Sequence, residues 1–174
     1  EGAVEAVEYL IRSGHRRIGL IEGKKEFRTS LKRKQGYVDV LKAHGIIPDP
    51  RYLKPGNFDL ESGYLSMSEL LELSDCPTAV FCANDDMAIG AMKAIHERQL
   101  RVPQDVSLIG YDDNGISSYL SPALTTVKRP IEQVTRKGTR LLLEIIEGRA
   151  QEVGGIKRLP TELIVRESVL QITS

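Results

Sequence analysis

Arg33, Phe58, Asn84 and Asp112 are the residues whose chemistry stands out in this sequence. Arginine donates through a planar fork, aspartate accepts, an asparagine amide does both, and an aromatic ring covers a flat face. Such a set suits a small polar ligand bearing hydroxyls or amides. Each residue follows a short apolar run. Thr29 and Arg33 come after residues 17–21, and Asn57-Phe58-Asp59 after residues 52–53. Asn84-Asp85-Asp86 follows residues 79–83, and Asp112-Asp113-Asn114 follows residues 106–111. Taken singly, each has a plainer role. Asn84 or Asp85 suits a helix cap, Asp112 a turn, Phe58 a tucked loop ring and Arg33 an exposed helix base. Their recurrence after successive strands is what favours a ligand site.

Catalytic patterns do not accompany them. Gly19 and Gly23 flank the end of the first apolar run, but neither G-x-G-x-x-G nor a phosphate-loop spacing is present. The G-x-S-x-G of a hydrolase is also missing. His15, His44 and His96 all fall near helix C-termini, where imidazole meets the helix dipole, and none has a metal-type partner in sequence. Cys76 and Cys82 have neither zinc spacing nor a disulfide framework; Cys82 lies in an apolar run and reads as a buried thiol in a reducing compartment. No enzyme, cofactor or metal site is expected. The basic stretch Lys24, Lys25, Arg28, Lys32, Arg33, Lys34 has few aromatic residues and reads as a solvated helix face.

The elements that position these residues alternate along the chain. Helical periodicity covers residues 2–12, 30–43, 60–72, 85–98 and 131–147. Ala3, Val7, Leu10 and Ile11 face inward on the first, Tyr37, Val38 and Leu41 on the second, and Ala88, Ala91, Met92 and Ile95 on the fourth. Apolar runs of strand type fall at 17–21, 52–53, 79–83, 106–111, 125–128 and 163–165. This order predicts an α/β fold, three layers around a doubly wound, mostly parallel sheet. In such sheets ligands bind beyond the C-terminal strand ends, where the candidate residues lie.

Composition agrees with a globular chain of 174 residues, 41% hydrophobic and 28% charged. Lysine and arginine number 24, as do aspartate and glutamate, so nucleic acid is not expected as the main partner of this segment. No apolar stretch approaches the ~20 residues of a membrane span, and no signal peptide is visible. The sequence opens within a helical pattern at Glu1, and the natural chain is expected to extend upstream.

Several runs resemble signature segments of the lactose-repressor (LacI/GalR) family of transcription regulators. They are Gly14-His15-Arg16-Arg17-Ile18-Gly19, Arg33 with Gly36-Tyr37, and Pro77-Thr78-Ala79-Val80-Phe81-Cys82-Ala83-Asn84-Asp85. Met87-Ala88-Ile89-Gly90-Ala91, Leu100-Arg101-Val102-Pro103, Asp105-Val106-Ser107 and Ile109-Gly110-Tyr111-Asp112-Asp113 continue the series. It closes with Ser121-Pro122-Ala123-Leu124-Thr125-Thr126-Val127 and Leu159-Pro160-Thr161-Glu162-Leu163 with Arg166.

The resemblance implies a periplasmic-binding-protein-like (type I) core of two lobes around a cleft. Residues 1–127 and 160–174 would belong to the C-terminal lobe, and 128–159 would return to the N-terminal lobe. Family positions matching Arg33, Asn84 and Asp112 hydrogen-bond an effector, that of Phe58 packs a ring on it, and those of Thr29 and Arg129 contribute in some members. An effector-binding aspartate that many members carry just upstream of the position of Glu1 is missing. A sugar or sugar derivative is the first expectation for the effector, a purine or nucleoside the second. Positions matching Ile89 and Tyr119 lie in a homodimer contact. DNA would be read only through a helix-turn-helix domain absent from this sequence. The expected protein is a cytoplasmic, repressor-type binding switch; the rival is a secreted periplasmic sugar-binding protein serving a transporter.

Overall fold

The first helix, α1 (Gly2–Arg12), forms because Ala3, Ala6, Val7, Leu10 and Ile11 recur at helical spacing and bury one stripe. It ends where Gly14 takes φ +94°, letting the amide of His15 reach back to Leu10 O at 3.1 Å. Beyond it, β1 (Ile18–Ile21), α2 (Arg28–Ala43), β2 (Leu53–Lys54), α3 (Leu60–Leu71), β3 (Ala79–Cys82) and α4 (Asp85–Glu97) alternate. β4 (Ser107–Asp112), β5 (Thr125–Lys128), α5 (Ile131–Ile146) and β6 (Glu162–Ile164) complete the order. The structure, a computed structural model, describes residues 1–149 and 158–172.

The strands make one sheet in the order β2-β1-β3-β4-β5-β6, parallel except for antiparallel β6. Strand alternation sends Ile18, Leu20, Phe81 and Ile109 to one face, against Val7 and Leu10 of α1 and Tyr37 and Leu41 of α2. Ile21, Val80, Cys82 and Leu108 face the other way, against Met67 and Leu70 of α3 and Ala88, Ala91 and Ile95 of α4. Both sheet faces are covered, which is why the strands read as continuous apolar runs. The chain moves outward from β1 to β2, then crosses to β3 on the other side of β1. That reversal opens a crevice at the C-terminal ends of β1 and β3.

Some sequence expectations shift. Val40 joins Tyr37 and Leu41 in the core, and Val38 packs against it only partly buried, because Val40 lies about 60° from Tyr37 around the helix and Val38 about 100°. Met92, expected on the inward face of α4, is only partly buried, whereas Met87 at the start of that helix is wholly buried. The last strand runs Glu162–Ile164, one residue earlier than the apolar run 163–165. α5 is amphipathic, yet none of its 16 residues is buried; Ile131, Val134, Leu142 and Ile145 are exposed along one stripe. Of the segments assigned above, 150–157 and 173–174 lie outside the described residues.

Candidate functional site

The loops at the C-terminal sheet edge and the entry to α5 enclose a cleft of about 650 Å³. Thr29, Arg33, Phe58, Asn84, Asp112 and Arg129 all line it. Thr29 and Arg33 stand on the first turns of α2, Phe58 precedes α3, Asn84 follows β3, Asp112 ends β4, and Arg129 follows β5.

Arg33 is held from several sides. Its Nη1 donates to the carbonyl of Ala83, its Cζ lies 3.7 Å from the Tyr111 ring centroid, and Phe58 stands 6.0 Å away. Such cation–π contact favours the guanidinium over the Tyr111 ring, and Arg33 lines the cleft from that position. Burial lowers Arg33 from its ordinary value, opposed by Tyr111 and Asp112. Asp112 Oδ1 accepts from Arg129 Nη1 at 3.1 Å and faces Arg33 Nη2 at 3.9 Å. Burial nevertheless leaves the Asp112 carboxyl above the usual carboxylate range, with Arg129 and Arg33 drawing it partly back.

Asn84 plays its plainer role as well as lining the cleft. Its Oδ1 caps α4 by accepting from the amide of Met87 at 3.0 Å, and its Nδ2 donates to Phe58 O at 3.0 Å. The second bond secures Phe58 at φ 64°, which an aromatic residue rarely adopts. The Phe58 ring also needs Gly23, where a Cβ would sit 2.1 Å from Cζ. Asp112 and Asp113 have φ 125° and 56°, so strained backbone borders the cleft on two sides.

The strand-end rule also nominated residues that turn elsewhere. Asn57 donates to Asp59, and Asp59 caps α3 through the amide of Ser62. Asp113 pairs with Arg166 at 2.6 Å, and Asp86 accepts from Asn114. Sequence reasoning missed Tyr111, which supports Arg33, and Phe27, whose ring meets Phe58 edge-on at 6.0 Å. The aromatic Phe27 immediately before α2 was a usable signal; Tyr111 was hidden inside an apolar strand. Lys24, Lys25, Arg28 and Lys32 lie on the loop and first turns of α2, whereas Lys34 pairs with Glu22 at 2.7 Å.

Two of the histidines, His15 and His44, have structural partners. His15 is buried between Thr78 Oγ1 at 3.0 Å and Leu170 O at 3.2 Å, and burial lowers its pKa. His44 meets Glu8 at 3.0 Å. Burial raises the Cys82 thiol. Among the described residues, no cluster of His, Cys, Asp and Glu has the arrangement to hold a metal.

The model of the periplasmic binding protein-like domain matches residues 7–169. The probable HTH-type transcriptional repressor ExuR of Bacillus subtilis is 48% identical over the whole chain, which covers 52% of that protein. The HTH-type repressor CytR of Escherichia coli is 42% identical over 95% of the chain, 48% of its own length. This chain belongs to the LacI family of transcriptional regulators. It forms part of the family's periplasmic-binding-protein-like domain and spans about half the length of the curated relatives it matches. A LacI-family sugar-binding regulator from Escherichia coli, solved with phosphate, superimposes with a TM-score of 0.90 at 36% identity, over 98% of this chain and 60% of that one. The CelR–cellobiose complex gives 0.89 at 37% identity, over 96% and 51%. A dimeric Lac repressor gives 0.90 at 34%, over 98% and 61%. These LacI-family relatives are repressors and regulators rather than enzymes, and they lend no support to the secreted alternative.

Proposed function

We propose that this chain is the effector-sensing part of a repressor and takes a small polar ligand, a sugar or sugar derivative first, in the cleft lined by Arg33, Phe58, Asn84 and Asp112. The convergence of a stacked arginine and a half-buried aspartate on one cleft carries this reading. Arg33 donates and Asp112 accepts, opposite senses that suit vicinal hydroxyls, while Phe58 covers the apolar face of a ring. Thr29 and Arg129 add polar groups at the rim. Sugar binding is stated for one structural neighbour and cellobiose for another, which favours a sugar here. A nucleoside is the second reading, favoured by the Phe27–Phe58 pair as a surface for a flat base.

The ligand would act by binding open and closed arrangements unequally, with no chemistry performed on it. Residues 128–159 would return to an N-terminal lobe, and residues 160–174 would complete the C-terminal one. Ile89 and Tyr119 would centre a homodimer contact, and DNA would be read by a helix-turn-helix outside this chain in a cytoplasmic protein. No helix among the described residues is long and apolar enough to cross a membrane. Calorimetry of the full-length protein against cellobiose, monosaccharides and nucleosides tests the ligand class. Saturable binding of a sugar that Asp112→Ala weakens by roughly ten- to a hundredfold is the expected result. Binding of nucleosides alone would replace the sugar reading, and binding indifferent to Asp112 would remove the site.

A further inference from the structure

Asp85, the first residue of α4, is 0% exposed, and its carboxylate gathers three neutral donors from separate parts of the chain. Oδ1 accepts from Thr126 Oγ1 on β5 at 2.5 Å. Oδ2 accepts from the Asn114 amide at 2.7 Å and from Ser117 Oγ at 2.8 Å. The two carboxyl oxygens have the acceptor capacity for all three donors, and the α4 N-terminus favours negative charge at its first residue. The carboxylate presses against β4 at Gly110, where a Cβ would lie 2.2 Å from Oδ1. Asp85 is not needed as the cap of α4, because Asn84 is that cap.

The donors connect two regions. Asn114 stands two residues after Asp112, inside the positive-φ turn that aims the cleft carboxylate. Ser117 belongs to the 3-10 turn Gly115–Ser118, which leads to Tyr119, 86% exposed on the surface. That second turn is closed by Tyr119 N donating to Ile116 O at 2.9 Å and Leu124 N donating to Ser117 O at 2.8 Å. One buried oxygen therefore holds the exit of the cleft turn and the body of the surface turn together.

We infer that Asp85 is a positioning residue that fixes the cleft turn carrying Asp112 and the surface turn carrying Tyr119 as one unit, so that displacement of either moves the other. The cleft half of this statement rests on the reading of Asp112 as an effector contact; the mechanical linkage does not. Asp85→Asn removes the charge while keeping the shape, and Ser117→Ala removes one arm from the surface side only.

Residue-resolved amide hydrogen exchange of the full-length protein without effector tests the linkage. Asp85→Asn is expected to speed exchange at Asn114 and Tyr119 together, by roughly tenfold for a weakened hydrogen bond of this kind. Amides inside α1 should keep their wild-type rates. Ser117→Ala, a change at the surface turn, is expected to speed exchange at Asp113 and Asn114 on the cleft side. If Ser117→Ala affects Tyr119 alone, the turns are independent and the inference falls. It falls equally if Asp85→Asn leaves Asn114 protected. Should Asp85→Asn not fold, Ser117→Ala decides. Failure to find a sugar effector changes none of these readouts.

Discussion

Arg129 Nη1 lies 3.1 Å from Asp112 Oδ1, the same oxygen that faces Arg33 Nη2 at 3.9 Å, so two cations converge on one carboxylate atom. Arg33 is locked by Ala83 and Tyr111, whereas Arg129 is exposed on the connection from β5 to α5. The pair thus joins a fixed wall of the cleft to the segment leading out of the sheet.

The first prediction follows from Asp112. Arg33→Ala and Asp112→Ala should each weaken effector binding by about 1.5–3 kcal/mol, the range for hydrogen bonds to charged groups. Burial holds the Asp112 carboxyl above its unfolded value. Ionising it therefore costs folding stability, a cost absent below the unfolded value and complete once pH has risen through the folded one. An ionised acceptor is what the effector needs, so affinity should fall as pH drops through the raised value. Arg129→Gln removes a lowering influence and should move that fall to higher pH. Calorimetry across the acidic range reads it, and identical pH profiles in wild type and Arg129→Gln would refute the pairing.

The second prediction concerns packing beneath the cleft. Gly110→Ala drives a methyl into Asp85 and should destabilise by about 1–3 kcal/mol, the usual cost of overpacking. Gly115→Ala meets nothing within 4 Å and has no positive φ, so it should be neutral or stabilise by about 0.4–1 kcal/mol. Urea denaturation of the two variants compares them directly. Equal stabilities would contradict the close approach of Asp85 to β4.

Much of this arrangement was legible in the sequence because each strand is short, apolar and followed by polar residues. The rule that ligands gather beyond parallel strand ends brought Arg33, Phe58, Asn84 and Asp112 together before any contact was known. It could not separate Asp112 from Asp113 or Asn84 from Asp85, since adjacent residues in a turn differ in direction rather than type. Asn84 turns out to cap α4, which releases Asp85 to the interior. Tyr111 was illegible for another reason. Its contact with Arg33 depends on how α2 lies over β4, a tertiary relationship that local periodicity does not carry.

The third prediction uses the exposed stripe of α5. If residues 128–159 return to an N-terminal lobe, Leu142 is buried there in the full-length protein. Leu142→Asp would then bury a charge and should destabilise that protein by several kcal/mol. In the chain of residues 1–174 alone, Leu142 is 57% exposed, and the same change should reduce self-association instead. Thermal denaturation of the first and light scattering of the second give opposite signs. An unchanged melting temperature in the full-length variant would mean that α5 has no such partner there.

The fourth prediction concerns the dimer. Tyr119 is 86% exposed, and Ile116 beside it 54%, while Ile89 is only partly exposed on α4. A groove of about 420 Å³ near them is lined by Ile89, Met92, Leu100, Val102 and Leu120. An apolar groove with an adjacent aromatic residue suits an isologous contact, in which each copy presents both to the other. Met87, though close in sequence, is wholly buried and contributes nothing to this surface. Ile89→Asp with Tyr119→Asp places four new charges across such a contact, two from each copy, while leaving the buried face of α4 untouched. The full-length double variant should therefore sediment as a folded monomer across a dilution series in which wild type stays dimeric. A double variant that remains dimeric at the same concentrations would place the contact on another face.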